Sequence, residues 1–308
     1  LGPPTYEKTE TVSNNVFETT NERKLGSTVQ DGVILGNNLY IAVSKSNTIE
    51  VVNKNTLVSV VQIVPTPAQG NTPRDIVTDG KYVYVSMYTG VVSRIDPSTN
   101  TIDKTVAVGP NPEEMVIVNK SLYVTNSDGN NYNAGYANGK SVSKISLSDF
   151  VEEKKIAVGL NPTKITADVL GNVLVLCMGD YSATPATVWK INAEDEATSM
   201  NIPATIMDIK DNSLYVINAP YGAPSITYTV YNTSSGAVEK ENFVSAPVDA
   251  PAGIAVHSDG RIFITSYTLV GGFASYKTPG YVSEYSSDGT FVKKYDVGVG
   301  AVSMTFLK

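Results

Sequence analysis

The chain has 308 residues, long enough to bury a core without disulfides or metals. Hydrophobic residues make up 42% and charged ones 17%, a globular balance far from that of disordered chains. The net charge is −7 and no Lys/Arg cluster exceeds two neighbours, which excludes the dense basic patch that nucleic-acid binding needs.

Reading from the N-terminus, residues 5–8 and 12–17 resemble a third and a fourth strand with nothing before them. From there a phrase recurs: an apolar strand, a short polar turn, then Leu-Tyr-Val or its equivalent. It occurs at Leu39-Tyr40-Ile41, Val83-Tyr84-Val85, Leu122-Tyr123-Val124, Leu174-Val175-Leu176, Leu214-Tyr215-Val216 and Ile262-Phe263-Ile264. An Asn/Pro phrase precedes most of these: Asn71-Thr72-Pro73, Asn111-Pro112, Asn161-Pro162, Asn201-Ile202-Pro203 and Ala250-Pro251. Weaker starts at Gly26 and Gly300 bring the marks to seven. Their spacing is that of four-stranded propeller blades.

The third unit shows the internal plan, with strands expected over 113–118, 121–126, 141–146 and 151–158. Val, Ile, Tyr and Thr dominate these runs, and turn clusters such as Asp96-Pro97-Ser98-Thr99-Asn100 separate third from fourth strands. No helical stripe competes. Residues 301–306 read as a first strand with no second strand after it. The expectation is therefore one all-β domain over 1–308, a seven-bladed β-propeller of four-stranded antiparallel blades. N- and C-terminal strands sharing a blade would close the ring and remove its open edges.

At Leu122-Tyr123-Val124-Thr125-Asn126 the chain resembles the YVTN-type bacterial propellers. Several further phrases resemble a group of surface-exposed propeller lipoproteins of gut bacteria. These are Asn21-Glu22-Arg23-Lys24-Leu25-Gly26, Ser46-Asn47-Thr48-Ile49-Glu50-Val51, Thr72-Pro73-Arg74-Asp75-Ile76 and Val158-Gly159-Leu160-Asn161-Pro162-Thr163. The resemblance implies capture of vitamin B12 (cobalamin, a corrinoid) at the outer-membrane cell surface for a TonB-dependent transporter. It also implies a lipid anchor upstream of Leu1 as the only membrane attachment, and a monomer when soluble. The start at Leu1 without methionine and the Asn-, Ser-, Thr- and Tyr-rich composition fit an exported protein, with the periplasm as the alternative compartment. Blade phrases specify the fold and not the ligand.

A blade meander sends second-to-third and fourth-to-first connections to one face. All long insertions are second-to-third loops, over 127–140, 179–186, 219–225 and 267–280. They carry Tyr132, Tyr136, Tyr181, Tyr221, Tyr267, Phe273 and Tyr276, joined by Tyr88 from a shorter loop. Flat aromatic faces among Asn, Ser and Gly make adaptable binding surfaces. These residues, with Arg74 and Asn126, are the candidate ligand site. Arg74, Glu113, Glu114, Lys164, Asp208 and Asp249 fall at first-strand starts, which ring a central channel on the same face.

Signals for catalysis are poor. The single histidine, His257, falls in a short hairpin, and no Gly-x-Ser-x-Gly elbow accompanies it. The single cysteine, Cys177, reads as a small buried hydrophobe and Trp189 as inter-blade packing. Asp128-Gly129-Asn130-Asn131 reads as an Asx-rich turn rather than a calcium loop. A hydrolytic carboxylate pair, if present, would be Glu113 with Asp208 across the channel. The reading is thus a binding protein with no cofactor and no catalytic or metal site. Protein or glycan interaction is the alternative, and a hydrolase or quinoprotein-like enzyme a more distant one.

Overall fold

The computed structural model describes residues 13–221 and 225–306. Six four-stranded antiparallel sheets follow one another along the chain. Blade one contains Val29–Leu35, Asn38–Val43, Thr48–Asn53 and Ser59–Ile63. Blade two contains Pro73–Thr78, Val83–Met87, Val91–Asp96 and Thr101–Ala107. Blade three contains Pro112–Val118, Ser121–Asn126, Ser141–Ser146 and Val151–Ala157, close to the boundaries expected from sequence. The first strands of blades four, five and six are Pro162–Ala167, Ile206–Lys210 and Pro251–Val256. The molecule is an all-β propeller.

The core lies between blades rather than in one centre. Tyr40, Ile49 and Val51 of blade one pack with Ile76, Val83, Val85 and Met87 of blade two. The alternate residue Tyr84 turns the other way, to Met115, Leu122, Ile145 and Phe150 of blade three. Three more layers of the same kind follow, through to blade six. A second strand sandwiched on both faces has no polar side. That is why Val83–Met87 is buried throughout and reads as an unbroken run rather than an alternation.

The two recurrent phrases have mechanical roles. Asn111 and Asn161 adopt left-handed backbone (φ 48° and 56°), a conformation asparagine tolerates better than most residues. Each precedes a proline that opens an innermost strand, a position where proline breaks no ladder. The carbonyls of Thr72, Asn111, Asn161 and Ala250 accept the N–H of the residue just past each second strand, at 2.8–3.1 Å. In the second phrase, Tyr40 donates its hydroxyl to Asn100 of the next blade (2.9 Å) and Tyr123 does the same to Asp195 (3.3 Å).

The termini depart from expectation. The described residues form six blades, not seven. Residues 5–8 and Val12 fall outside the described residues. Val16–Asn21 is a short helix rather than the end of a strand. That turn places Phe17 against the Arg23 guanidinium, 4.9 Å from ring centre to Cζ. It also brings the Asn21 amide to the backbone of Leu57 and Ser59, on the edge of blade one. Among the described residues, 301–306 pair with no strand. They nevertheless lie between blades six and one: Ser303 and Thr305 donate to the carbonyls of Gln30 and Gly32, and Phe306 packs on His257 and Phe263. Among the described residues, these side-chain contacts hold the segment between the two blades.

Candidate functional site

The innermost strands surround a polar cavity of about 470 Å³. Its walls include Gln30 and Asp31 of blade one, Arg74 and Asp75 of blade two, Glu113 and Glu114 of blade three, Lys164 of blade four and Ser303. Farther along, Asp208 and Met304 line a continuation of about 200 Å³ that Glu114 and Lys164 share.

Charges in this channel are mostly spent on one another. Arg74 pairs with Glu113 at 2.6 Å and stacks on the Tyr88 ring at 4.9 Å, and Lys164 pairs with Glu114. Asp208 accepts the Val256 N–H of the next blade at 2.6 Å, and burial pushes its carboxyl up to about 6. Burial likewise raises Glu113, against the opposing pull of Arg74. Glu113 and Asp208, the pair weighed for hydrolysis, line different parts of the channel and have separate partners.

Above the channel, second-to-third loops differ in length as expected. Residues 127–140 hold a 3₁₀ segment, Gly129–Ala134, and residues 267–280 a small hairpin of Leu269–Val270 with Phe273–Ala274. These loops are internally tied. Asp128 accepts from the Asn131 amide and the Asn138 N–H, and Asp180 accepts the N–H groups of Ser182 and Thr184. The Asp128 carboxylate is thus spent within its own turn. Among the described residues, no group of three His, Cys, Asp or Glu side chains is arranged to hold a metal ion.

The aromatic candidates divide into exposed and supporting rings. Tyr132, Tyr181, Tyr221, Phe273 and Tyr276 are 61%, 65%, 95%, 68% and 71% exposed. Tyr181 also overhangs the cavity, with its ring edge-on to Tyr136 at 6.3 Å. Tyr267 supports Tyr276 at 4.9 Å. Tyr88 is a support beneath Arg74, its phenol pushed up to about 12, chiefly by burial. Asn126 is placed differently from the rest: it is fully buried in blade three, where its amide donates to Ser141 and Ser143. Asn126 is still within the second strand, where it pairs with Ser141 of the third strand.

Sequence reading passed over Asp31 and Asp75. The available signal was an acidic residue at the third position of an innermost strand, Asp31 in blade one and Asp75 in blade two. Both sit inside apolar patterns, where a carboxylate is costly and needs a reason.

His257 lies in the turn after Pro251–Val256, with Nδ1 2.8 Å from Asp259. Cys177 is buried, and burial pushes its thiol up to about 12. Trp189 packs partly buried in the layer between blades three and four.

No curated protein sequence matches the chain. Among solved structures, hydrazine synthase of Kuenenia stuttgartiensis superposes with TM-score 0.63 at 14% identity, over 92% of this chain and 80% of that one. A functionally unknown protein from Desulfotomaculum acetoxidans gives 0.61 at 13%, over 86% and 81%. The computationally designed Ika8 protein gives 0.61 at 9%, over 92% and 91%. At such identities the likeness speaks for the fold alone. The model of a domain of unknown function, DUF5074, matches residues 5–240, more than half of the chain, and the chain therefore belongs to the DUF5074 family.

Proposed function

We propose that this propeller is a binding protein that captures a bulky, amphipathic small molecule over the channel mouth on its long-loop face. A corrinoid such as vitamin B12 is the leading ligand, for hand-over at the cell surface to a TonB-dependent outer-membrane transporter. The observation that carries the binding role is the set of exposed rings, Tyr132, Tyr181, Tyr221, Phe273 and Tyr276, delivered by loops of four blades. Soluble proteins rarely expose large apolar groups together without a use. Two of the loops bearing them, 127–140 and 179–186, are braced by their own hydrogen bonds, so little ordering entropy is spent there on binding.

The choice of corrinoid rests on the sequence phrases that resemble surface lipoprotein propellers. A broad macrocycle edged with amide arms suits aromatic faces set among amides and hydroxyls. The lipid anchor and surface location belong to the same proposal. So does a seventh blade, with residues 301–306 as its innermost strand and the N-terminal residues supplying outer ones. Its support is the position of 301–306 against Gln30 and Gly32 on one side and Phe263 on the other.

A second reading, interaction with a protein or glycan, draws on the hairpin in loop 267–280. Leu269, Val270 and Phe273 stand exposed together there, away from the cavity lining.

Titration calorimetry with cyanocobalamin tests the first reading. Binding heat is expected for the unmutated protein. Tyr132→Ala, Tyr181→Ala and Tyr276→Ala combined should weaken binding by orders of magnitude, at about 1–3 kcal/mol per anchoring ring. No heat with cyanocobalamin would remove the corrinoid and leave the interaction reading. Equal binding by the triple variant would keep the ligand and move the site.

A further inference from the structure

The channel cavity keeps hydrogen-bonding capacity that its own ion pairs leave over. Arg74 reaches Glu113 Oε2 through Nε at 2.8 Å and Nη2 at 2.6 Å, and its Nη1 has no partner among the described residues. Lys164 spends one ammonium proton on Glu114 Oε1, and Glu114 Oε2 likewise has no partner among the described residues. Gln30 and Thr163 line the same space, and there too the side-chain amide and hydroxyl are unmatched among the described residues. The ion pairs fix Arg74, Lys164 and Glu114 in place, so little ordering is needed to meet a ligand.

Blade order sets donors and acceptors side by side around this wall. Asp31 comes from blade one, Arg74 from blade two, Glu114 from blade three, and Thr163 with Lys164 from blade four. A hydroxyl both donates and accepts, whereas an ammonium only donates and an ionised carboxylate only accepts. A neutral polyol therefore matches both halves of the wall. An anion would meet an excess of carboxyl groups, with Asp31, Asp75, Glu113 and Glu114 against Arg74 and Lys164. An organic cation would satisfy Glu114 but leave the arginine, lysine and amide donors unmatched. A metal ion would lack three suitably placed ligands among the described residues.

Size and roof agree with the polar wall. The cavity of about 470 Å³ falls in the range of small-molecule sites, roughly 300–1,000 Å³, and suits a mono- or disaccharide better than a corrin macrocycle. Tyr181 overhangs it, set edge-on to Tyr136, and offers a flat apolar face to the C–H side of a sugar ring.

We propose that the channel mouth is a sugar-binding subsite, in which a neutral, hydroxyl-rich ring sits among Arg74, Glu114, Thr163 and Lys164 beneath Tyr181. A free sugar, the terminal sugar of a glycan and a ribose carried by a larger ligand share this chemistry. The site lies apart from the hairpin in loop 267–280 and stands whether or not a corrinoid is captured at the rim.

Saturation-transfer NMR on the whole chain, with no cobalamin present, tests the subsite. The probes are D-glucose, D-galactose, D-mannose and D-ribose at up to about 10 mM, beyond the millimolar range of weak binding. Neutral glycans immobilised on an array are probed in parallel. Saturation of the ring protons of at least one sugar, or binding on the array, is expected. Glu114→Gln and Tyr181→Ala should each weaken it about tenfold. Tyr181 is mostly exposed, so its variant tests the roof even if Glu114→Gln fails to fold. Ribose alone would assign the site to a ribose-bearing ligand, and array binding with silent free sugars to glycan ends. Silence from every sugar and from the array overturns the proposal, as does binding that both variants leave unchanged. Inorganic phosphate and ethanolamine should give no heat in calorimetry; heat with either, and no sugar binding, would replace the polyol by an ion.

Discussion

At the scale of single residues, burial decides which chemically capable side chains are available. Cys177 is enclosed between blades three and four, so its thiolate is unfavourable and its approach blocked. A thiol reagent at mildly alkaline pH should leave the native protein unlabelled and react promptly after denaturation; rapid native labelling would contradict the packing. His257 has a ring contact with Phe306 at 4.8 Å and lies on the short-hairpin side. His257→Ala should cost about 1 kcal/mol through that contact and leave ligand affinity unchanged in calorimetry. A tenfold affinity loss without unfolding would place the binding face on the other side of the disc.

At the scale of elements, the N-terminal helix and the segment before blade one act as a clip. Glu50 is fully buried and accepts from Arg23 at 2.6 Å, with Ser59 and Gln62 completing its partners. Removing the arginine leaves a buried carboxylate without its counter-charge. Arg23→Ala should therefore lower unfolding free energy by about 3 kcal/mol in denaturant titration; a loss within measurement error would show that the two hydroxyl and amide donors suffice. The segment 301–306 tests the opposite end. A Cβ on Gly253 would overlap the Val302 carbonyl, so Gly253→Ala must displace that segment. The expected cost is about 1–3 kcal/mol. A crystal structure of the variant with 301–306 unmoved would refute the close approach.

At the scale of the whole molecule, the channel couples blades through charge. Asp208 bridges blades five and six, and its folded carboxyl releases its proton at about 6 against an ordinary 3.8. A raised carboxyl favours the folded state below that range, and the advantage is lost as pH climbs from about 4 to about 6. The change amounts to about 3 kcal/mol at 1.36 kcal/mol per unit. Asp208→Asn should flatten that part of the stability profile. An unchanged profile would show that the Asp208 proton is not linked to folding.

Blade structure was legible in the sequence because it is written locally. Asn-Pro turns, Tyr-bearing second strands and turn clusters are each dictated by backbone conformation and by burial on both faces. Loop polarity was legible too, since a meander alternates faces whatever the residues. Val16 and Phe17, read as the end of a strand over 12–17, instead open a helical turn, because Val and Phe favour strands in isolation whereas docking of Asn21 and Arg23 on blade one rewards a helix. Asn126 differs from the other site candidates because it pairs within its blade, its amide bonded to Ser141 and Ser143. The exposed and supporting roles of Tyr181 and Tyr88 belong to tertiary structure alone. Those contacts join residues some tens of positions apart, and their energies depend on which neighbouring blade supplies a cation or a proton, information that no local pattern carries.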